Sequence, residues 1–122
     1  MDDIDDLQAE FLRTLAHPRR LQILHRLADG PTGVACLAAE LGISQPNASQ
    51  HLAVLRSAGV VEAERDGREV RYRLADPEVI VACGIVRGVL ERRYGRLAGL
   101  AGVRPPAAAT TTTEPPLTIP PR

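Results

Sequence analysis

The sequence predicts a mainly α-helical domain that ends in a β-hairpin and one further helix, in the order α–α–α–α–β–β–α. Three observations carry that prediction. Apolar residues recur at helical spacing from Leu7 to Leu55. Between Val60 and Leu74 the period drops to two. From Val79 to Leu90 the chain is apolar nearly all round, interrupted by Arg87. At 122 residues there is room for one domain with a modest core. We place that domain at residues 1–100 and a tail at 101–122.

The first helix is expected over residues 5–16, where Leu7, Phe11, Leu12 and Leu15 form one stripe and the acidic start suits the helix dipole. His17-Pro18 interrupts it, and Pro18 opens a second helix with Leu21, Ile23, Leu24 and Leu27 inward, ended by Gly30-Pro31. Thr32 is expected to cap a short third helix that faces Val34, Leu37, Ala38 and Leu41 inward.

The stretch from Leu41 to Leu55 then reads as helix, tight turn, helix. Gly42 suits the left-handed end of the third helix, Ser44 the N-cap of the fourth, and Pro46 its first turn. Ala48, Leu52 and Leu55 face a core, while Gln45, Asn47, Ser49, Gln50 and His51 populate the other face. These are uncharged hydrogen-bonding side chains, matched to the donors and acceptors on base edges in a DNA major groove. A plain solvated helix face is the competing explanation.

The hairpin decides between them. Val60 to Arg65 and Glu69 to Leu74 read as strands joined by Asp66-Gly67. A hairpin directly after a helix–turn–helix makes a winged helix–turn–helix. In that arrangement the second helix enters the major groove, and Arg65, Arg68, Arg71 and Arg73 meet backbone or minor groove. Glu62, Glu64, Asp66 and Glu69 dilute that charge, so an ordinary charged edge is the plain alternative for the hairpin.

Pro77 to Leu97 reads as a last helix that a small domain cannot bury alone, which points to a partner chain. Its β-branched residues with Gly84 and Gly88 leave a buried strand as the alternative. From Gly102 the chain is rich in Pro, Ala and Thr, with a Thr110–Thr113 run, and is expected to be disordered.

Charge is balanced, with 15 basic and 15 acidic residues. The distribution is not even. Asp2, Asp3, Asp5, Asp6 and Glu10 crowd the start, and arginines cluster at Arg19, Arg20, Arg65, Arg68, Arg71 and Arg73. No segment has the pattern of a signal peptide or a membrane span, so a cytoplasmic protein with no membrane partner is expected.

No enzyme is expected. Ser44, Ser49 and Ser57 lack a strand–elbow context, there is no Gly-rich phosphate loop, and His51 beside Ser49 lacks a third orienting group. Cys36 and Cys83 make neither a disulfide framework nor a zinc-finger spacing, and each reads as a buried small hydrophobe. His17 reads as a helix-boundary residue. Asp76 and Glu78 open the last helix, where carboxylates ordinarily act as caps; they are also the candidate metal ligands.

These motifs together resemble the ArsR/SmtB family of bacterial dimeric winged-helix repressors over residues 7–95. The resemblance rests on Leu15-Ala16-His17-Pro18-Arg19-Arg20-Leu21 through Leu24, on Leu37 through Arg56, and on Gly59-Val60-Val61 leading to Asp66-Gly67-Arg68 and Tyr72-Arg73-Leu74. It implies a homodimer made by the first and last helices, here through Leu7, Phe11, Val79, Ile80, Cys83, Val86 and Leu90. It also implies binding to a pseudo-palindromic operator, relieved or altered by an effector. Carried over position by position, the DNA-reading contacts fall on Gln45, Pro46, Asn47, Ser49 and Gln50, with His51 nearby and open to facing the domain.

The family's sensing motifs are absent or incomplete here. The Cys-x-Cys segment reads Gly33-Val34-Ala35-Cys36-Leu37. The zinc-type start reads Asp76-Pro77-Glu78, and Val89 and Arg92 stand at its later positions. His25 occupies the place of the persulfide-sensing cysteine in the second helix. An effector-independent or thiol-responsive winged-helix regulator is one alternative, and two further readings stand beside the repressor. One is a sensor of a divalent transition metal (nickel, zinc or cobalt), with Asp76 and Glu78 as ligands. The other is a protein-interaction module that docks an accessory protein on the last helix.

Overall fold

The computed structural model describes residues 3–101, and side chains as far as residue 96. The expected tail at 101–122 lies almost wholly outside the described residues. The chain divides into one unit that runs to Ile80 and a second that begins at Val81.

In the first unit the first, second and fourth helices each start on a side-chain cap. Helix α1 (Ile4–Leu15) is capped by Asp3, whose carboxylate accepts the Asp6 backbone N–H at 3.0 Å. Helix α2 (Pro18–Leu27) is capped by His17, whose Nδ1 accepts the Arg19 backbone N–H at 3.1 Å. Helix α3 (Val34–Leu41) and helix α4 (Gln45–Ser57) form the helix–turn–helix. Ser44 Oγ accepts the Asn47 backbone N–H at 3.1 Å at the start of α4.

Between the two helices Gly42 sits at φ 70°, ψ 34°. The Ile43 N–H reaches back to the Ala38 carbonyl at 3.0 Å and the Gly42 N–H to Ala39 at 3.3 Å, a Schellman closure. A Cβ at Gly42 would meet nothing within 4 Å, so its replacement costs backbone strain alone. Gly42→Ala is expected to lower stability by about 1–2 kcal/mol without changing the contacts of α4. A urea melt with an unchanged m-value checks this.

The hairpin consists of β2 (Val61–Asp66) and β3 (Glu69–Leu74), antiparallel with Asp66 opposite Glu69. Asp66 is therefore still in the strand, and the turn is Gly67-Arg68 rather than Asp66-Gly67. Gly67 takes φ 68°, and Arg68 stands at the tip. The sheet has a third strand. Thr32–Gly33, labelled β1, pairs with Tyr72 and Arg71, so β3 is central in the order β1-β3-β2. This corrects the expectation that Thr32 caps α3. Thr32 is buried in the sheet, and Gly33 holds the cap position without a side-chain bond.

One core serves these elements: Leu15, Ile23, Leu24, Leu27, Leu37, Leu52, Leu55, Val60 and Val61, with Phe11, Tyr72, Val79 and Ile80 packed against it. The apolar faces read from the sequence in α2 and α4 are the ones the core uses. Helix α5 (Glu78–Ala101) begins in this unit and continues through the second. It is a helix and not the alternative buried strand. Val81, Ile85 and Val89 recur every four residues on one exposed stripe of it, and Ile85 is 65% exposed.

Candidate DNA-reading surface

The structure brings Gln45, Pro46, Asn47, Ser49 and Gln50 to the exposed side of α4. That face is set by the opposite one, since Ala48, Leu52 and Leu55 are buried and leave no rotational choice. The first turn of α4 exposes the amide side chains of Gln45 and Asn47, an arrangement suited to base edges.

His51 does not belong to this face. It is half-buried, and its Nδ1 accepts from Arg20 Nε at 3.2 Å. Its ring lies 4.5 Å from that of His17. In the sequence Arg20 stands out only as one of a cluster of arginines. The signal that it served α4 was a position 31 residues away, which periodicity cannot show.

The wing does not leave all four arginines open to backbone or minor groove. In its register Glu62 stands opposite Arg73 and Glu64 opposite Arg71, so Arg71 and Arg73 share one face with carboxylates. Arg73 donates to Glu62 at 2.9 Å and also to Glu64, and these partners raise the pKa of its guanidinium further. Arg71 lies 3.7 Å from Asp66. Arg65, opposite Val70, is on the other face. Among the described residues, Arg65 and the tip residue Arg68 form no ion pair.

A cation already matched by carboxylates displaces few counterions from DNA, whereas an unmatched one displaces about one. Arg68→Ala is therefore expected to weaken binding to all DNA alike and to reduce the slope of log affinity against log salt by about one. Arg73→Ala should leave that slope nearly unchanged. Titrations at several salt concentrations check both.

Asp76 and Glu78 meet at the start of α5. Asp76 Oδ1 accepts the Glu78 backbone N–H at 3.0 Å and so closes the start of α5. No cluster of three or more His, Cys, Asp or Glu side chains suited to a metal ion exists among the described residues. Among the described residues, the two carboxylates alone fall short of the donor set that nickel, zinc or cobalt takes.

Cys36 is exposed, which corrects the buried reading. It shares the outer face of α3 with Glu40, to which its thiol donates at 3.3 Å. Glu40 is held below the usual carboxylate range, first by Arg26, whose Nε donates to it at 2.6 Å, and then by Cys36. Cys83 is half-buried, and burial pushes its thiol pKa up. Of the other residues expected at a dimer interface, Leu7 and Val86 are exposed and Leu90 is half-buried. Phe11, Val79 and Ile80 pack against the core of their own chain.

Residues 17–63 match the bacterial regulatory protein, arsR family. The uncharacterized HTH-type transcriptional regulator Rv0081 of Mycobacterium tuberculosis is 42% identical over 106 residues, which cover 85% of this chain and 93% of that protein. The chain belongs to the ArsR/SmtB family. The crystal structure of Rv0081 superposes with a TM-score of 0.72 at 38% identity, covering 80% of this chain and 99% of that one. The homodimeric winged helix–turn–helix DNA-binding domain of Mb0332 from Mycobacterium bovis gives 0.65 at 38% identity, covering 70% of this chain and 80% of that one. As an ArsR/SmtB member the chain is a winged helix–turn–helix transcriptional regulator and not an enzyme. No helix among the described residues is long and apolar enough to cross a membrane.

Proposed function

We propose that the chain acts in the cytoplasm as a homodimer that reads a pseudo-palindromic operator with two copies of α4. The observation that carries this reading is the exposed uncharged face of α4, on which Gln45, Asn47, Ser49 and Gln50 stand together with Pro46 in the first turn. Gln45, Asn47, Ser49 and Gln50 read base edges. Arg65 and Arg68 hold backbone directly. Arg71 and Arg73 do so only by exchanging a carboxylate for a phosphate.

A second copy is the partner that fits the exposed stripe Val81, Ile85 and Val89, together with Val86. The homodimeric state of the Mycobacterium bovis relative supports that choice. No observation on the described residues favours a metal-gated sensor or an accessory-protein adaptor. The test is a fluorescence anisotropy titration of the full chain on its own upstream region against a scrambled duplex at one fixed salt concentration. Preference for the upstream region by about 10³-fold or more is the expected result. Equal affinity for both duplexes contradicts sequence reading at that site.

A further inference from the structure

Arg20, in the first turn of α2, joins three helices. Its Nε donates to His51 Nδ1 of α4 at 3.2 Å, and its Nη1 donates to the Thr14 carbonyl in the last turn of α1 at 2.9 Å. The His17 ring packs on the His51 ring at 4.5 Å with an interplanar angle of 57°, while His17 Nδ1 accepts the Arg19 N–H that starts α2. Both imidazoles thus use Nδ1 as an acceptor, and the hydrogen-bond network assigns their ring hydrogens to Nε2.

An imidazolium has no acceptor. A proton placed on His51 Nδ1 would point at the N–H of a guanidinium and set donor against donor. It would also add a positive charge beside Arg20 and the His17 ring.

We propose that Arg20, His17 and His51 are positioning residues that hold α4 in its DNA-reading place only while His51 is neutral, so that acid releases the operator. This rests on the reading of α4 given above. Burial first, and then the charges of His17, Arg20 and Arg19, hold His51 below the ordinary histidine value of 6.5.

Among the described residues, no carboxylate is one of the charges acting on His51. Helix α4 packs against α1, α2, α3 and β2. From α2 and its cap come Arg19, Arg20 and His17. The Glu10 carboxylate of α1 lines the α1–α4 groove and is not among the charges that act on His51. On α3, Glu40 is taken by Arg26, and on β2, Glu62 and Glu64 are taken by Arg73. A base whose folded value is depressed lends its stability above its unfolded value. That stability is lost as pH falls from 6.5 through the lower folded value. The loss falls on the tie between α2 and α4.

The experiment follows the full chain at constant ionic strength from about pH 7.5 to about pH 5.5, on an operator duplex and on a random duplex. For the wild type, operator affinity is expected to fall progressively as pH drops below 6.5. Random-duplex affinity should not fall, because protonation adds positive charge. In His51→Asn the side-chain oxygen replaces Nδ1 as acceptor and cannot take a proton. Its operator affinity at the upper pH should stay within about threefold of wild type, and the acid loss should vanish. The same acid loss in His51→Asn, or none in the wild type, overturns the latch.

The His51 ring signal, followed by NMR in the wild-type chain, needs no variant. Its midpoint should coincide with the loss of operator affinity, and a separate midpoint overturns the proposal. Equal affinity for operator and random duplex at the upper pH would instead overturn the reading of α4 itself.

Discussion

Ile85→Asp is expected to turn the protein into a monomer and to reduce operator affinity by at least about a hundredfold. Ile85 is 65% exposed in the single chain, so a carboxylate there leaves the fold intact. Between Val81 and Val89 on the stripe, however, it would be buried unpaired against a second copy, where desolvation of a charge costs several kcal/mol. Two tethered reading helices gain about 10²–10⁴ in avidity over one, and that gain is what the variant forfeits. Random DNA, which rewards charge more than register, should lose less. Light scattering and anisotropy titrations on the same samples check both halves. A variant that becomes monomeric yet keeps its operator affinity would contradict the two-copy reading, and one that stays dimeric would move the interface off this stripe.

The second large effect belongs to Gln50. Its side chain is exposed on α4 and makes no hydrogen bond that the fold depends on. Gln50→Ala should therefore melt like the wild type. A glutamine amide offers a donor and an acceptor side by side, which matches adenine in the major groove, and such a pair is worth about 1–3 kcal/mol of discrimination. The expected result is a loss of about fivefold to 150-fold on the operator, relaxed preference at one base pair, and no change on random DNA. An equal loss on both duplexes would make Gln50 a backbone contact.

What was legible in the sequence was what is decided locally. Ser44, Pro46, Gly42 and the Ala48–Leu52–Leu55 spacing act over one or two helical turns, so α4 and its exposed face follow from the order of residues. The alternation from Val70 to Leu74 acts the same way. What was not legible depends on pairing across the chain. Thr32 has the composition of a cap, but β3 offers an open edge opposite Tyr72 and takes it as a strand. The wing arginines alternate as expected, yet the register that sets Glu62 and Glu64 against Arg73 and Arg71 appears only once the turn is fixed at Gly67-Arg68.

Cys36 shows the other kind of miss. Its neighbours are apolar, but it lies four residues before Glu40 on the outer face of α3, and helical spacing outranks local composition there. The latch on His51 combines both failures, because a histidine on a polar helix start was turned inward by an arginine from another helix.

The central claim is that two copies of α4, held at a fixed spacing, read DNA sequence. It is tested most directly by selecting duplexes from a random pool with the full chain and sequencing what is retained. The expected result is an inverted repeat whose half-sites lie about one helical turn apart, 10–10.5 base pairs centre to centre, or a multiple of that. Recovery of a single unrepeated half-site, or of no enriched sequence at all, would contradict it.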